Sequence, residues 1–84
     1  MFYIYVLWSE KLRKRYVGYT SDIAKRLHEH NNGNSKFTKA GIPWKLIYNE
    51  ELSTKKEAIK RETFLKSGIG RKWIDDNIGN GDQS

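Results

Sequence analysis

The run Phe2-Tyr3-Ile4-Tyr5-Val6-Leu7-Trp8, uncharged and free of turn formers, does most to fix what this chain can become. An unbroken apolar and aromatic stretch of this composition, closed by Ser9-Glu10, reads as a strand buried by the rest of the molecule. The rest is short, because the whole sequence is 84 residues. So small a chain makes one domain with one modest core and buries only about 60% of its extended surface. Three Trp, five Tyr and three Phe make that core feasible. With no cysteine, disulfides, iron-sulfur clusters and thiolate zinc sites are excluded, and any metal must use oxygen or imidazole ligands.

The basic stretch Lys11 to Arg15 then reads as a hairpin loop. It leads into a second strand, Arg15 to Tyr19, whose Gly18 leaves space for a backbone or a ligand to approach closely. Thr20, Ser21 or Asp22 caps a first helix from about Asp22 to Asn31, closed by Asn32-Gly33. Asn34 to Pro43 reads as loop, with Lys36-Phe37-Thr38 setting an aromatic and a hydroxyl among lysines. Trp44 to Tyr48 is a third strand. Thr54 followed by Glu57 is a capping box that opens a second helix, and Gly68 and Gly70 are expected to end it. Arg71 to Ile78 forms a short third helix that packs through Trp73, Ile74 and Ile78. The order β-β-α-β-α-α makes an α+β domain over residues 1–78, and the polar, glycine-rich 79–84 is expected to be a disordered tail.

Glu62 is the exception on the capped helix. At about 100° per residue Ala58, Leu65 and Ile69 share one face, and Glu62 falls only about 40° from Ala58. An ionised carboxylate on such a stripe must be paired, hold a metal, or neutralise. On the first helix Ile23, Ala24 and Leu27 mark the core face, while Arg26 and His30, four residues apart, project together at its edge. Taken singly, His30 reads as a boundary residue on the sheet and Arg26 as a surface charge. An Arg, a His and a carboxylate on the core-facing edges of two helices can nevertheless converge over one sheet. The strands add phenols: Tyr3 and Tyr5 share one face of the first strand, Tyr16 and Gly18 one face of the second. Each tyrosine also reads as an ordinary core aromatic with a tethered hydroxyl.

Sixteen Lys and Arg against ten Asp and Glu give a net charge of +6, a balance that favours polyanions such as nucleic acid or an acidic membrane surface. No apolar run approaches the ~20 residues of a membrane span. Phe2 to Trp8 lacks both a basic leader and a small-residue cleavage site, so the expectation is a soluble, cytoplasmic protein.

Tyr3-Ile4-Tyr5 and, ten residues on, Tyr16-Val17-Gly18, followed by Thr20, Asp22, Arg26, His30 and the glutamate of Lys60-Arg61-Glu62, make the chain resemble the GIY-YIG nucleases over about residues 2 to 74. Phe37-Thr38, Ile42-Pro43-Trp44-Lys45-Leu46 and Glu57-Ala58 to Glu62 are most similar to the family's small stand-alone members. Two departures are visible. Tyr3 stands where the first motif has glycine, and Ser67 to Gly70 stands where such proteins more often continue with Trp and basic residues.

The resemblance implies a small three-stranded antiparallel sheet flanked by helices, and metal-dependent hydrolysis of DNA phosphodiesters. It implies Glu62 as the ligand of Mg²⁺ or Mn²⁺, a task for which one carboxylate suffices. Arg26 would clamp the scissile phosphate. Tyr5 would help deprotonate or position the attacking water, and Tyr16 would orient that water or a phosphate oxygen. A phenol of pKa ~10 is only about 0.1% ionised at pH 7, so His30 is the neighbour expected to take a proton. Lys14, Arg15, Lys36, Lys39 and Arg61 are the candidate contacts to the DNA backbone. A domain this small is expected to bind DNA non-specifically or by its structure and not by a long sequence, and the role expected from the resemblance is DNA repair or recombination. Two other readings stay open: a non-catalytic nucleic-acid-binding module that keeps the fold, and a protein-interaction adaptor acting through exposed aromatics such as Trp8 or Trp44.

Overall fold

The computed structural model describes residues 1–34, 36 and 38–79. The apolar opening run becomes β1 (Phe2–Ser9), the middle strand of a three-stranded antiparallel sheet ordered β2-β1-β3. After a turn over residues 10–13, β2 (Lys14–Thr20) returns alongside it in a register that sets Tyr5 opposite Gly18 and Leu7 opposite Tyr16. Helix α1 (Ile23–Asn31), a 3-10 turn (Lys39–Gly41), β3 (Trp44–Leu52), α2 (Lys55–Lys66) and α3 (Gly68–Asn77) complete the expected β-β-α-β-α-α order.

Side chains alternate along a strand, so β1 serves two cores at once. Ile4 and Val6 meet Val17, Leu65 and Ile74 beneath α2 and α3. On the opposite face Tyr5 and Leu7 meet Trp44, with Tyr16, Leu27 and Ile42 packed against them on the side of α1. A strand covered on both faces must be apolar throughout, which is what the opening run provides. Trp8 and Trp44 are both buried, so neither is available as an exposed docking aromatic.

β3 runs past Tyr48, where the sequence reading stopped, to Leu52. The pairing with β1 skips a residue between Val6–Tyr48 and Leu7–Leu46. This bulge turns both Ile47 and Tyr48 towards the α2/α3 core and breaks the alternation that would have announced the longer strand. It also directs Glu50 to the same side, where Arg61 meets it through Nε at 2.9 Å and Nη2 at 2.8 Å.

The helix starts follow their caps. Asp22, among the three candidates, accepts from Lys25 N–H at 3.1 Å, and Thr54 and Glu57 form the reciprocal capping box. The glycines after α2 correct the sequence reading. Ser67 ends α2 and caps α3, its hydroxyl accepting from Gly70 N–H at 3.1 Å, so Gly68 and Gly70 lie in the first turn of α3. A Cβ on Gly70 would stand 1.9 Å from the Phe64 carbonyl oxygen, so glycine is required where α3 crosses the end of α2. Because the chain turns at Ser67, Ile69 leaves the α2 stripe and is 76% exposed. Ala24, expected on the core face of α1, is also exposed.

Gly79 donates its N–H to the Ile74 carbonyl and accepts from Arg15; 80–84, the rest of the expected tail, and Phe37 lie outside the described residues. No described helix is long and apolar enough to cross a membrane.

Candidate active site

Tyr5, on the middle strand, projects towards α1 and is 3% exposed. Its hydroxyl lies 3.2 Å from His30 Nε2 and accepts from Arg26 Nε at 3.4 Å. The ring has room only because Gly18 lies opposite, since a Cβ there would stand 2.5 Å from the Tyr5 oxygen. Tyr16 stacks beside Tyr5 at 6.3 Å between centroids and meets the His30 ring edge-on at 5.1 Å. Four of the five residues expected to act together therefore form one cluster.

His30 is fully buried, and both ring nitrogens are engaged. Nδ1 lies 2.8 Å from the hydroxyl of Thr38, a buried residue in the segment expected to be loop. Thr38 is held in turn by Trp44, whose indole N–H donates to the Thr38 carbonyl at 2.6 Å. Asn31 then clamps the Trp44 backbone, accepting from its N–H at 2.6 Å and donating to its carbonyl at 3.1 Å. The sequence signal for Thr38 was slight: one hydroxyl among lysines.

Burial is the main force on both titrating groups. It pushes the Tyr5 phenol above its ordinary value, against the lowering hydrogen bond from Arg26, and the charges of Tyr16 and Glu62 add to the rise. It pushes the His30 imidazole below its ordinary value, and the Arg26 charge adds to that fall. At neutral pH the pair is thus a protonated phenol beside a neutral imidazole. With Nδ1–H donating to Thr38, Nε2 is free to accept from Tyr5. Arg26 is held more firmly protonated by the Tyr5 hydrogen bond and by Glu29, whose Oε1 lies 3.0 Å from Nη1.

Glu62, on α2, is near enough for its charge to act on Tyr5. Its side chain is 21% exposed and its Oε2 pairs with Lys66 at 3.2 Å across one helical turn. Among the described residues no cluster of three or more His, Asp or Glu side chains surrounds a common point. A divalent ion held by the Glu62 carboxylate would fill most of its coordination shell from water and phosphate oxygens. Such a hard, part-exposed oxygen donor fits Mg²⁺, which keeps several waters and takes phosphate oxygens.

Of the basic residues expected to contact nucleic acid, Lys14, Lys36 and Lys39 are exposed. Arg15 instead pairs with Asp75 at 2.6 Å, and Arg61, bound to Glu50, lies 5.0 Å over both the Phe64 and Trp73 rings. Both arginines bind the fold together.

The chain belongs to the GIY-YIG family: the model of the GIY-YIG catalytic domain, a nuclease-type module, matches residues 1–72. Within it, proteins similar to this chain carry the name UPF0213. One from Staphylococcus saprophyticus is 46% identical over 77% of this chain and 79% of its own length. One from Streptococcus agalactiae is 44% identical over 61% of this chain, and the match spans only 59% of that relative's length. The solution NMR structure of a UPF0213 protein from Bacillus halodurans aligns with a TM-score of 0.54 at 29% identity, covering 90% of this chain and 84% of that one.

Proposed function

We propose that this protein is a divalent-metal-dependent endonuclease that hydrolyses phosphodiester bonds in DNA. The observation that carries the reading is the buried Tyr5–His30 contact with Arg26 on the same hydroxyl, a donor-acceptor chain that a core aromatic does not need. The attacking water would give a proton to the Tyr5 oxygen as Tyr5 passes its own to His30 Nε2, while the P–O bond to the leaving sugar oxygen breaks and that oxygen takes up a proton from solvent. His30 then holds the charge with Nδ1–H on Thr38. A phenol whose pKa is raised cannot be a standing base, so Tyr5 acts as a relay and His30 as the acceptor. Arg26 keeps guanidinium protons beyond those used by Tyr5 and Glu29, and these would bind the scissile phosphate. The Tyr16 hydroxyl would orient the water or a phosphate oxygen. Glu62 would hold Mg²⁺ or Mn²⁺, which when bound supplies positive charge to the phosphate oxygens and acidifies water.

Lys14, Lys36 and Lys39 are the first candidates for backbone contacts, with Arg15 and Arg61 engaged elsewhere. The small domain favours structure-selective cutting, in cytoplasmic DNA repair or recombination. Supercoiled, single-stranded and branched DNA incubated with and without Mg²⁺ or Mn²⁺ tests this. Tyr5→Phe should remove ~10²- to 10⁴-fold of the cleavage rate while preserving DNA binding in EDTA. Wild-type rates in Tyr5→Phe would return Tyr5 to the core, and no cleavage of any substrate would favour the non-catalytic binding module.

A further inference from the structure

The α2/α3 face of the sheet, opposite the Tyr5–His30 pair, holds a cleft of about 530 Å³ that the mechanism above does not use. Five cations rim it: Arg13, Lys14 and Arg15 at the hairpin end of β2, Lys66 at the end of α2, and Arg71 on α3. Among the described residues no carboxylate lines it, and its floor is apolar, with Val17, Leu65 and Ile74. Cations gathered round one concavity focus a positive field to the extent that carboxylates leave them unpaired, here at Lys14 and Arg71, and a polyanion relieves it. Arg13 and Arg15 are already paired with Glu10 and Asp75. Lys14 and Arg71 are exposed, with no carboxylate partner among the described residues.

Two residues join this cleft to the catalytic cluster. Tyr16 lines it and also packs on His30, and Lys66 lines it and also touches Glu62. We infer that the cleft carries the phosphodiester backbone of the nucleic-acid strand as it leaves the scissile phosphate and passes round the β2 edge. The inference rests on the nuclease reading for its direction, not for its charge. A strand fits better than a free nucleotide, because the cations come from three separate elements and do not converge in one buried fork of the kind that grips a terminal phosphate.

The test is the salt dependence of binding in EDTA, read by fluorescence anisotropy on labelled single-stranded and duplex DNA. K14Q/R71Q should lower the slope of log affinity against log salt by about 1.4 on single strands and about 1.8 on duplex, equivalent to roughly 25- to 60-fold weaker binding at 0.1 M salt. K55Q/K56Q removes the same charge about 16 Å away along α2 and should bind like wild type. Wild-type affinity in K14Q/R71Q, equal weakening in both doubles, or displacement of the strand by a mononucleotide at comparable concentration would each overturn the inference. Binding is scored without metal, so the two readings fail separately. A protein that binds through the cleft but cuts nothing with Mg²⁺ overturns the nuclease reading alone. One that cuts while K14Q/R71Q binds normally overturns the cleft alone.

Discussion

Gly18→Ala should disable the site without touching any group that does chemistry. Gly18 sits opposite Tyr5 in the β1–β2 register, and a Cβ there would stand 2.5 Å from the phenol oxygen and 2.7 Å from Cζ. The optimum separation of non-bonded heavy atoms is about 3.5–4.0 Å, so the ring must retreat by about 1 Å. It cannot retreat freely, because Tyr16 and His30 pack against it and only 3% of the residue is exposed. Gly18 is not in the left-handed backbone region, so the whole cost is steric. Overpacking of this kind costs ~1–3 kcal/mol, which in a domain of this size lowers Tm by about 4–8 °C per kcal/mol. The displaced hydroxyl loses its alignment with His30 and Arg26, and a ~1 Å misplacement costs roughly 10²-fold in rate. The expected variant is folded, melts lower by circular dichroism, binds DNA in EDTA as wild type does, and cleaves about a hundredfold more slowly. Wild-type cleavage with an unchanged melt would mean that the Tyr5 ring is not pinned, and the relay would lose its geometric basis.

Thr38→Val should leave a buried imidazole nitrogen unpaired, costing ~1–3 kcal/mol and slowing single-turnover cleavage roughly 10- to 100-fold, with Thr38→Ser restoring most of the rate. Full activity in Thr38→Val would remove Thr38 as the positioning residue of His30. His30 titrates below its ordinary value of 6.5 in the folded state, so the unfolded chain takes the proton first; its contribution to stability is complete above about pH 6.5 and is lost as pH falls through the folded pKa. Cleavage should fall as pH drops through the lowered folded-state pKa of His30, and a rate that stays flat down to the onset of acid unfolding would exclude His30 as proton acceptor. Arg61→Ala should cost about 2 kcal/mol at pH 7 in denaturant unfolding, because it removes the hydrogen bonds to Glu50 and the cation over two rings. Burial alone would raise the Glu50 pKa, but the Arg61 and Tyr48 hydrogen bonds override it and hold it below 4.5; wild type should therefore lose this increment as pH falls below about 4.5, while Arg61→Ala has little left to lose. Glu62→Gln should abolish metal-dependent cleavage yet change metal-free stability by less than ~0.5 kcal/mol, since its pair with Lys66 is a part-exposed i,i+4 pair. A loss of several kcal/mol would recast Glu62 as a structural partner.

The strand run, the capping box and the order of elements were legible because each rests on local chemistry: apolar burial, a reciprocal cap and alternation. Tyr5, Tyr16, Arg26 and His30 were legible as a set because the resemblance fixed their order; the hairpin sets Tyr5 beside Tyr16, and α1 packing on the sheet brings Arg26 and His30 to them. What escaped was non-local. β3 was cut short because the bulge at Ile47 disrupts its alternation and because Glu50 is satisfied by an arginine eleven positions away. Gly68 and Gly70 read as a helix end because the carbonyl of Phe64, which makes Gly70 necessary, belongs to the preceding helix. Thr38 could not be assigned because its role depends on a loop folding back onto α1, and a single hydroxyl has no periodicity to reveal it.

Glu62 occupied a core-facing stripe on paper, yet its carboxylate is part-exposed and bears on Tyr5 through charge. Burial is the main force opposing ionisation of the phenol, the Arg26 hydrogen bond and charge favour it, and the charges of Tyr16 and then Glu62 add to the opposition. The resting site therefore keeps the proton on Tyr5 and leaves Nε2 of His30 unprotonated, with the Glu62 charge a minor contributor to that state. Neutralising the carboxylate should lower the Tyr5 pKa even in a protein that cannot cut DNA. A ¹³Cζ tyrosine titration of metal-free Glu62→Gln reads this directly. A Tyr5 resonance that titrates at or above its wild-type pH would show that Glu62 and Tyr5 do not share one electrostatic site, and the two faces of the sheet would have to be treated as separate machinery.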